Sequence, residues 1–162
     1  MTTNWPGNAA VFALCEPRIK GFEGFRAAPY RDSANIPTIG YGTILYPNGH
    51  TVTMADPPVT EPYASQCLEY HMNQKATAIS SHFTRMPSVH QAAAMLSLTY
   101  NIGTGAFSGS TVLRQFNAGN FHDAAAAFLM WDKAMVDGQL VVVPGLLVRR
   151  QQESAMFLTA DH

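Results

Sequence analysis

The stretch GFEGFRAAPYRDSANIPTIGYGT, residues 21–43, sets two acids and a hydroxyl, Glu23, Asp32 and Thr38, among aromatic residues and glycines. One acid in such a segment is usually a helix end or a turn residue. Two acids held apart by turn residues are the arrangement that acid/base chemistry on a neutral substrate requires. The stretch also decides the fold, because a helical pattern stops at Gly24 and short β-prone runs begin after it.

Helix signals precede the stretch, and a small sheet is predicted at its end and beyond. Asn8 is a predicted N-cap for a short helix over residues 9–15, and Pro17 suits the first turn of a second helix that reaches Glu23. The runs TIGYG and TILY, with PNGH as the turn into TVTM, predict an antiparallel sheet.

The rest of the chain is predicted to be mainly helical. Thr60 with Pro62 starts a long helix that runs to about Phe83, and Ser88 with Gln91 forms a capping box for the next helix. Further elements are a helix from Ser108 to about Gly119, a helix from Asn120 through AAAAFLMW, a hairpin with Asp-Gly at its turn in MVDGQLVVV, and a last helix from Pro144.

These elements predict one α+β domain over residues 1–162. A small N-terminal lobe, about residues 16–60, carries the antiparallel β-sheet. A linking helix, about residues 61–83, joins it to an all-helical C-terminal lobe, about residues 84–162.

Composition excludes several classes of protein. With 162 residues and 47% hydrophobic content the chain can bury a core without disulfides, so disorder is not expected. Ten basic and eleven acidic residues give a net charge of -1, so no positive field draws nucleic acid. Cys15 and Cys67 are too few for a disulfide framework and are expected as buried free thiols, with one bridge as the alternative. The six histidines form no paired metal motif, so no metal is predicted.

An apolar run near the N-terminus, AAVFALC, is only seven residues long and has Glu16 and Pro17 directly after it. It is too short for a membrane span and lacks the basic segment of a signal peptide. We expect no stable membrane insertion and no self-export, so a target outside the membrane requires another protein to let this one out.

The two acids of the stretch stand in different surroundings. Glu23, between Phe22 and Phe25 at the negative end of a helix dipole, is expected to have its charged form disfavoured, as a general acid requires. Asp32 lies beside Arg31 among polar turn residues that favour an ionised carboxylate. Hydrolysis of a glycosidic bond needs such a pair. From composition alone the structural alternative stays open: a solvated helix-end acid, a turn aspartate and an ordinary strand threonine.

Three motifs occur in order, namely EGFR, then Tyr30 with Asp32, then TIGYG. Eight residues separate Glu23 from Asp32, and five separate Asp32 from Thr38. In these motifs and spacings the sequence resembles the phage-type lysozymes, glycoside hydrolase family 24, the endolysins of tailed phages. The resemblance continues through SLTYNIGTGAFSGSTVLRQFNAG and VPGLLVRRQQESAMFL, so it covers about residues 19–158.

Two features depart from that family. The family's run often reads TIGYGH, and Thr43 stands in the place of the His, so any pairing made by that His is absent. Many relatives are basic, which helps them adhere to anionic walls, whereas this chain is near neutral. Arg149 and Arg150 on the last helix are a candidate local patch for the wall, with a solvated helix face as an equal alternative.

The resemblance implies a lysozyme-like fold and hydrolysis of the β-1,4 bond between N-acetylmuramic acid and N-acetylglucosamine of peptidoglycan, in a cleft between the lobes. It implies Glu23 as the general acid, Asp32 as the carboxylate that directs water or stabilises positive charge, and Thr38 as the hydroxyl that positions the water. Positions that line the family's sugar cleft are matched by Gly42, Ile44, Tyr100 and Ser110. For Tyr100 and Ser110, a role in the core or as a helix cap is nearly as strongly indicated.

The resemblance also implies a monomer without cofactor or metal, whose partner is peptidoglycan. Such a protein stays in the host cytoplasm until a separate holin-type pore releases it to the periplasm and cell wall. Two alternatives remain. A lytic transglycosylase would use Glu23 alone, and a non-catalytic peptidoglycan-binding module would have no reason to keep all three groups. Inversion or retention depends on the separation of the carboxylates, which a sequence does not reveal.

Overall fold

The structure is a computed structural model that describes residues 4–161. In these residues the chain forms seven α-helices and two antiparallel two-stranded sheets, which confirms the predicted α+β class. The helices are α1 (Asn8–Glu23), α2 (Glu61–Ser80), α3 (Val89–Ile102), α4 (Thr104–Ser108), α5 (Thr111–Ala118), α6 (Phe121–Ala127) and α7 (Pro144–Phe157). The strands are β1 (Arg26–Arg31), β2 (Pro37–Gly40), β3 (Lys133–Val136) and β4 (Gln139–Val142), and a 3-10 turn, Phe128–Trp131, follows α6. No helix in this part of the chain is both long and apolar enough to cross a membrane.

Two compact units divide the described chain. One, the sheet unit, is Glu16–Gln74. The other, the helical unit, consists of the described residues on either side of it. Both boundaries fall inside helices, α1 and α2, so each of these helices contributes residues to both units. The organisation as a single domain with lobes near 16–60 and 84–162 stays a prediction.

One helix, α1, takes the place of the two short helices predicted ahead of the stretch. Pro17 lies inside it, where a proline removes a backbone hydrogen bond and costs about 3 kcal/mol. Val11, Cys15 and Ile19 recur every four residues and are fully buried, so the apolar stripe continues past the proline. The predicted break at Pro17 is wrong because burial of this stripe offsets the lost bond. The predicted helix end at Glu23 is confirmed.

The sheet of the sheet unit is the antiparallel pair β1–β2. Strand β1 was not predicted, because RAAPYR contains two alanines and a proline, which are poor strand formers. The predicted pairing of TILY with TVTM reduces to one bridge between Leu45 and Thr51. The turn between them is confirmed, since the Gly49 amide donates to the Tyr46 carbonyl at 2.9 Å.

The helical unit is built around α3, in which eight consecutive residues, Ala92–Thr99, are buried. Its run of alanines lets α7 pack closely against it. The predicted capping box is confirmed, because the Ser88 hydroxyl accepts the Gln91 amide while the Gln91 side chain accepts the Ser88 amide. Aromatic rings fill much of the remaining core, with the centroids of Phe116 and Phe83 5.4 Å apart.

Later predictions differ in outcome. The helix predicted from Ser108 to about Gly119 begins three residues later, at Thr111, because the Ser110 hydroxyl accepts a backbone amide and caps α5 there. The predicted hairpin is confirmed as β3–β4. The two residues of its Asp-Gly turn have φ of 50° and 80°, the positive values that a tight two-residue hairpin turn requires.

Arg149 and Arg150 form neither an exposed patch nor a solvated helix face. They are 4% and 0% exposed, and both face the buried carboxylate of Glu153. Arg149 Nε lies 3.2 Å from Glu153 Oε2, and Arg150 Nε lies 2.8 Å from Oε1. The prediction is wrong because spacings of three and four residues bring these side chains together on α7, and a paired charge can be buried. Burial raises the pKa of Glu153, and the charges of Arg150 and Arg149 oppose that rise.

Candidate active site

Glu23 is the last residue of α1 and is half-buried. The helix ends there with the Gly24 amide donating to the Lys20 carbonyl at 2.9 Å, and Gly24 has a φ of 69°. The carboxylate rests against Gly42, since a Cβ built on Gly42 would lie 2.7 Å from Glu23 Oε2. Gly42 also has a φ of 79°, which other residues rarely adopt. Gly42, which was predicted to line a sugar cleft, thus leaves the space that the Glu23 carboxylate occupies.

Phe25 is less buried than the predicted aromatic enclosure of Glu23 requires. It is 41% exposed, and its ring packs on Tyr41 with 5.6 Å between centroids. The Tyr41 hydroxyl in turn donates to Glu61 Oε1 at 2.9 Å, and Lys20 Nζ lies 3.4 Å from the same oxygen. A cluster of polar side chains therefore ties the end of α1 to the turn before Gly42 and to the start of α2.

Asp32 follows β1 directly and opens the turn into β2. Its Oδ1 accepts the backbone amides of Ala34 and Ile36 at 2.8 and 2.9 Å. Asn35 in this turn has a φ of 64°, and Arg31 Nη1 donates to the Asn35 carbonyl at 3.0 Å. Arg31, predicted as the neighbour that favours an ionised Asp32, thus binds the backbone of the turn. The donors that orient the carboxylate are the two amides.

Thr38 lies in β2 and is 2% exposed. Its hydroxyl donates to the Ile36 carbonyl at 2.8 Å, and the Asp32 amide donates to the same carbonyl at 3.0 Å. The backbone of Ile36 therefore orients both side chains. Its amide donates to the Asp32 carboxylate, and its carbonyl accepts the hydrogen bond of the Thr38 hydroxyl. Because the hydroxyl proton is committed, Thr38 Oγ1 is an acceptor toward any further group.

Tyr30 belongs to the site, although the sequence motif that contains it assigned it no role. It stands opposite Thr38 in the β1–β2 pair. Burial raises the pKa of Tyr30, the negative charges of Glu23 and Asp32 raise it further, and Arg26 opposes them. The Arg26 guanidinium lies 4.3 Å from the centre of the Tyr30 ring. The sequence contains no usable signal for this position, because the pairing of Tyr30 with Thr38 depends on strand β1, which was not predicted.

Thr43, which stands in the place of the family's histidine, closes the glycine turn. Its amide and carbonyl pair with those of Ile39 at 2.9 Å each, and Gly40 and Gly42 between them have positive φ. The side chain is 2% exposed, and among the described residues its Oγ1 has no hydrogen-bond partner. An unpaired buried hydroxyl costs about 1–3 kcal/mol. The unpaired Thr43 hydroxyl therefore lowers the stability of the turn, while the backbone bridge to Ile39 is formed.

The other positions matched to a sugar cleft have separate surroundings. Ile44 follows the glycine turn in the sheet unit and is 44% exposed. Tyr100 is half-buried in α3 of the helical unit, with Lys75 Nζ 5.8 Å from its ring centre, and burial lowers the pKa of Lys75. Ser110, also in the helical unit, is 4% exposed and its hydroxyl caps α5, the role stated as its alternative.

Two further expectations from composition concern the state of the cysteines and the residues that could bind a metal ion. Cys15 and Cys67 are both buried free thiols, which confirms the expectation from composition. Between residues 4 and 161, no three histidine, cysteine, aspartate or glutamate side chains gather in a way that would hold a metal ion.

Known proteins similar to this chain carry the names endolysin and muramidase. The endolysin of Salmonella phage P22 is 42% identical over 143 residues, which are 88% of this chain and 93% of that protein. The solved endolysin from Escherichia coli O157:H7 phage FAHEc1 has a TM-score of 0.82 at 34% identity, covering 98% of this chain and 94% of its own. The muramidase domain of SpmX from Asticaccaulis excentricus has a TM-score of 0.78 at 31% identity, covering 95% and 97%.

These likenesses, with the fold already described, define a glycoside hydrolase of the lysozyme class. The family model for phage lysozyme matches residues 20–153, a span that includes all the site positions predicted from the sequence. The chain belongs to the phage lysozyme family.

Proposed function

We propose that this lysozyme hydrolyses the β-1,4 bond between N-acetylmuramic acid and N-acetylglucosamine in peptidoglycan and so lyses the bacterial wall. Glu23 is the general acid, Asp32 the carboxylate that directs water or stabilises positive charge, and Thr38 the hydroxyl that positions the water. The observation that carries the proposal is the pair of backbone hydrogen bonds by which Ile36 orients both Asp32 and Thr38. Both residues lie in the same compact unit as Glu23. The substrate follows from membership of the family.

The hydrogen bonds around Asp32 and Thr38 suit the activation of a water. Among the described residues Asp32 Oδ2 accepts no hydrogen bond, because both amide donors go to Oδ1. Thr38 Oγ1 has donated its proton to Ile36 and can only accept. A water that donates one hydrogen to each oxygen directs a lone pair away from both, toward the anomeric carbon. In this step Glu23 protonates the leaving oxygen and Asp32 takes the proton that the attacking water loses, so a single direct displacement would invert the anomeric configuration.

Loss of turbidity of permeabilised Gram-negative cells tests the assignment of the acid. Glu23→Gln removes the proton donor but keeps the shape, so lysis should slow by about 10²–10⁴-fold. Glu16→Gln, on the same helix, changes a half-buried carboxylate that pairs with Lys20 at 3.3 Å and interacts with Glu69 but with no proposed catalytic group, and it should lyse normally. Lysis by Glu23→Gln at the parent rate would show that the acid is assigned wrongly. Mass analysis should find reducing ends, since anhydro-muramic products would indicate a transglycosylase.

We infer the finer points of assembly and release from family membership alone. The protein acts as a monomer, held in the host cytoplasm and released to the wall through a separate holin-type pore. Sedimentation should show one monomeric species. Cells that express the protein without a pore-forming partner should stay intact until the inner membrane is permeabilised, and spontaneous lysis of such cells would contradict release through a pore.

A further inference from the structure

A pocket of about 500 Å³ opens in the sheet unit and is lined by residues between 46 and 63. None of the proposed catalytic residues lines it. Two tyrosine rings, Tyr46 and Tyr63, form part of its wall, and Asn48 and His50 also line it. Its volume falls in the range of small-ligand sites, about 300–1,000 Å³. The pocket is therefore large enough for a sugar unit.

The two rings are held in place before any ligand arrives. Their centroids are 6.4 Å apart and their planes are inclined by 33°. The Tyr46 hydroxyl donates to Asp56 Oδ2 at 2.7 Å, and the Tyr63 side chain lies beside the buried Cys67 thiol one turn further along α2. Tyr63 nevertheless remains 37% exposed. A fixed, accessible aromatic face binds a ligand with little loss of conformational entropy.

The rim of the pocket supplies neutral hydrogen-bonding groups. Asn48 Oδ1 accepts the backbone amide of His50 at 2.9 Å. A backbone N–H donates, and the only acceptor of the Asn48 side chain is its oxygen, so this bond identifies the orientation of the side chain and leaves its NH₂ group as a donor. The exposed His50 ring adds a second group that can donate or accept.

The charges of the pocket disfavour an anionic ligand. The Asp56 carboxylate already accepts the Tyr46 hydroxyl at 2.7 Å, the Thr53 amide at 3.0 Å and the Thr53 hydroxyl at 2.6 Å. Most of its acceptor capacity is therefore used within the protein, which leaves few lone pairs for hydrogen bonds from a ligand. No lysine or arginine is among the described residues that line the pocket, so an anion finds no partner there.

We propose that this tyrosine pocket, comprising Tyr46, Asn48, His50, Asp56 and Tyr63, is a second glycan site that binds a neutral N-acetylglucosamine unit of peptidoglycan. The apolar face of the sugar packs on Tyr63, and its hydroxyl and acetamido groups bond to Asn48 and His50. An N-acetylmuramic acid unit is disfavoured because its lactyl group adds a carboxylate or a peptide. The substrate class rests on the proposed function, and the site would retain the enzyme on the wall between cleavage events.

Titration with triacetylchitotriose, followed by backbone NMR shifts, tests the proposal. Because this probe can also enter the catalytic site, binding is read separately at residues 48–56 and at residues 23–38. Tyr63→Ala should weaken binding at residues 48–56 about tenfold. Tyr70→Ala is the matched control, since Tyr70 is on the same helix and 38% exposed, against 37% for Tyr63, but does not line the pocket.

Two results would overturn the second site. One is a set of shifts confined to residues 23–38, and the other is a folded Tyr63→Ala variant that binds as well as Tyr70→Ala. If Tyr63→Ala does not fold, Asn48→Ala on the exposed rim takes its place and should weaken binding at residues 48–56, while unchanged binding there would overturn the proposal. Tyr63→Phe keeps the ring and should bind like the parent.

The outcome is separable from that of the proposed function. Glu23→Gln should lose lysis yet keep probe binding at residues 48–56. Normal lysis by Glu23→Gln would refute the catalytic assignment whatever the pocket binds, and absent shifts at residues 48–56 would refute the pocket whatever the rate of lysis.

Discussion

The helical unit and the sheet unit hold their charged groups in opposite ways. In the helical unit, Glu153 is 1% exposed and lies among Arg149, Arg150 and the Ser97 hydroxyl, which donates to it at 2.5 Å. In the sheet unit, no residue of β1 is fully buried, and the adjoining Asp32 is oriented by two backbone amides. The helical unit buries this carboxylate among its partners, whereas the sheet unit leaves the Asp32 carboxylate accessible.

The difference teaches how this lysozyme separates stability from chemistry. A buried ion cluster stabilises only when its partners are complete, so it belongs in a packed core that does not move. A group that must meet a sugar stays accessible, and its direction is set by hydrogen bonds from the backbone. We therefore expect changes in the helical unit to lower stability and changes around the sheet to lower activity.

The largest effect on stability is expected at Glu153. Glu153→Leu leaves the guanidinium groups of Arg149 and Arg150 buried without that carboxylate, so the free energy of unfolding should fall by about 3–5 kcal/mol. Urea unfolding measures it. Gln152→Leu changes the adjacent, exposed residue of α7 and should shift stability by less than about 0.5 kcal/mol. Equal stability of the two variants would show that the cluster does not stabilise the unit.

A large effect on activity is expected at Gly42. The methyl group of Gly42→Ala would lie 2.7 Å from Glu23 Oε2 and displace the acid, so lysis should slow by about 10²-fold. Gly49→Ala is the control, because Gly49 has a φ of 91° but no atom within 4 Å of the added carbon. It should lose stability through backbone strain and keep its activity. A similar loss of activity in both variants would mean that strain, and not displacement of Glu23, is responsible.

A smaller effect on activity is expected at Thr38. Thr38→Val keeps the volume but removes the acceptor for water, so lysis should slow by about tenfold, or 1.4 kcal/mol of barrier. Its stability should fall by only about 1 kcal/mol, because the Ile36 carbonyl keeps the Asp32 amide as a donor. Thr38→Ser retains the hydroxyl and should remain active. Equal lysis by the valine and serine variants would exclude a role for the hydroxyl.

The smallest effect is expected at Asp161, which accepts the amides of Val89 and His90 at the start of α3 and lies 2.7 Å from His90 Nδ1. The hydrogen bond with His90 lowers the pKa of Asp161. Its stabilisation is therefore present above the ordinary value near 3.8 and is lost as the pH falls through the lower folded value.

Urea unfolding as a function of pH measures this contribution. At neutral pH, Asp161→Asn should lower the free energy of unfolding by less than about 1 kcal/mol, since exposed pairs contribute little. The difference from the parent should shrink as the pH is lowered below about 4. A difference that persisted in strong acid would mean that the charge of Asp161 is not its cause.

Local patterns predicted much of the fold. The capping box at Ser88, the Asp-Gly turn of β3–β4 and the start of α7 at Pro144 were recognised, because each depends on residues next to one another in the chain. Predictions failed where distant packing overrode the local signal. Pro17 does not break α1, since a buried stripe runs past it.

The candidate site divides in the same way. The spacing of Glu23, Asp32 and Thr38 is a property of the sequence, and the backbone bonds that orient the last two span no more than four residues. By itself the sequence therefore determined the catalytic set that we propose and the turn that carries Asp32.

Only the tertiary structure decided which groups surround that set and which charges are hidden. Gly42 meets Glu23 across nineteen positions of the chain, and Arg149 donates to the Ser97 carbonyl across 52. Such contacts depend on where helices and turns pack, and packing is a property of the whole core. A local sequence pattern therefore cannot predict such contacts.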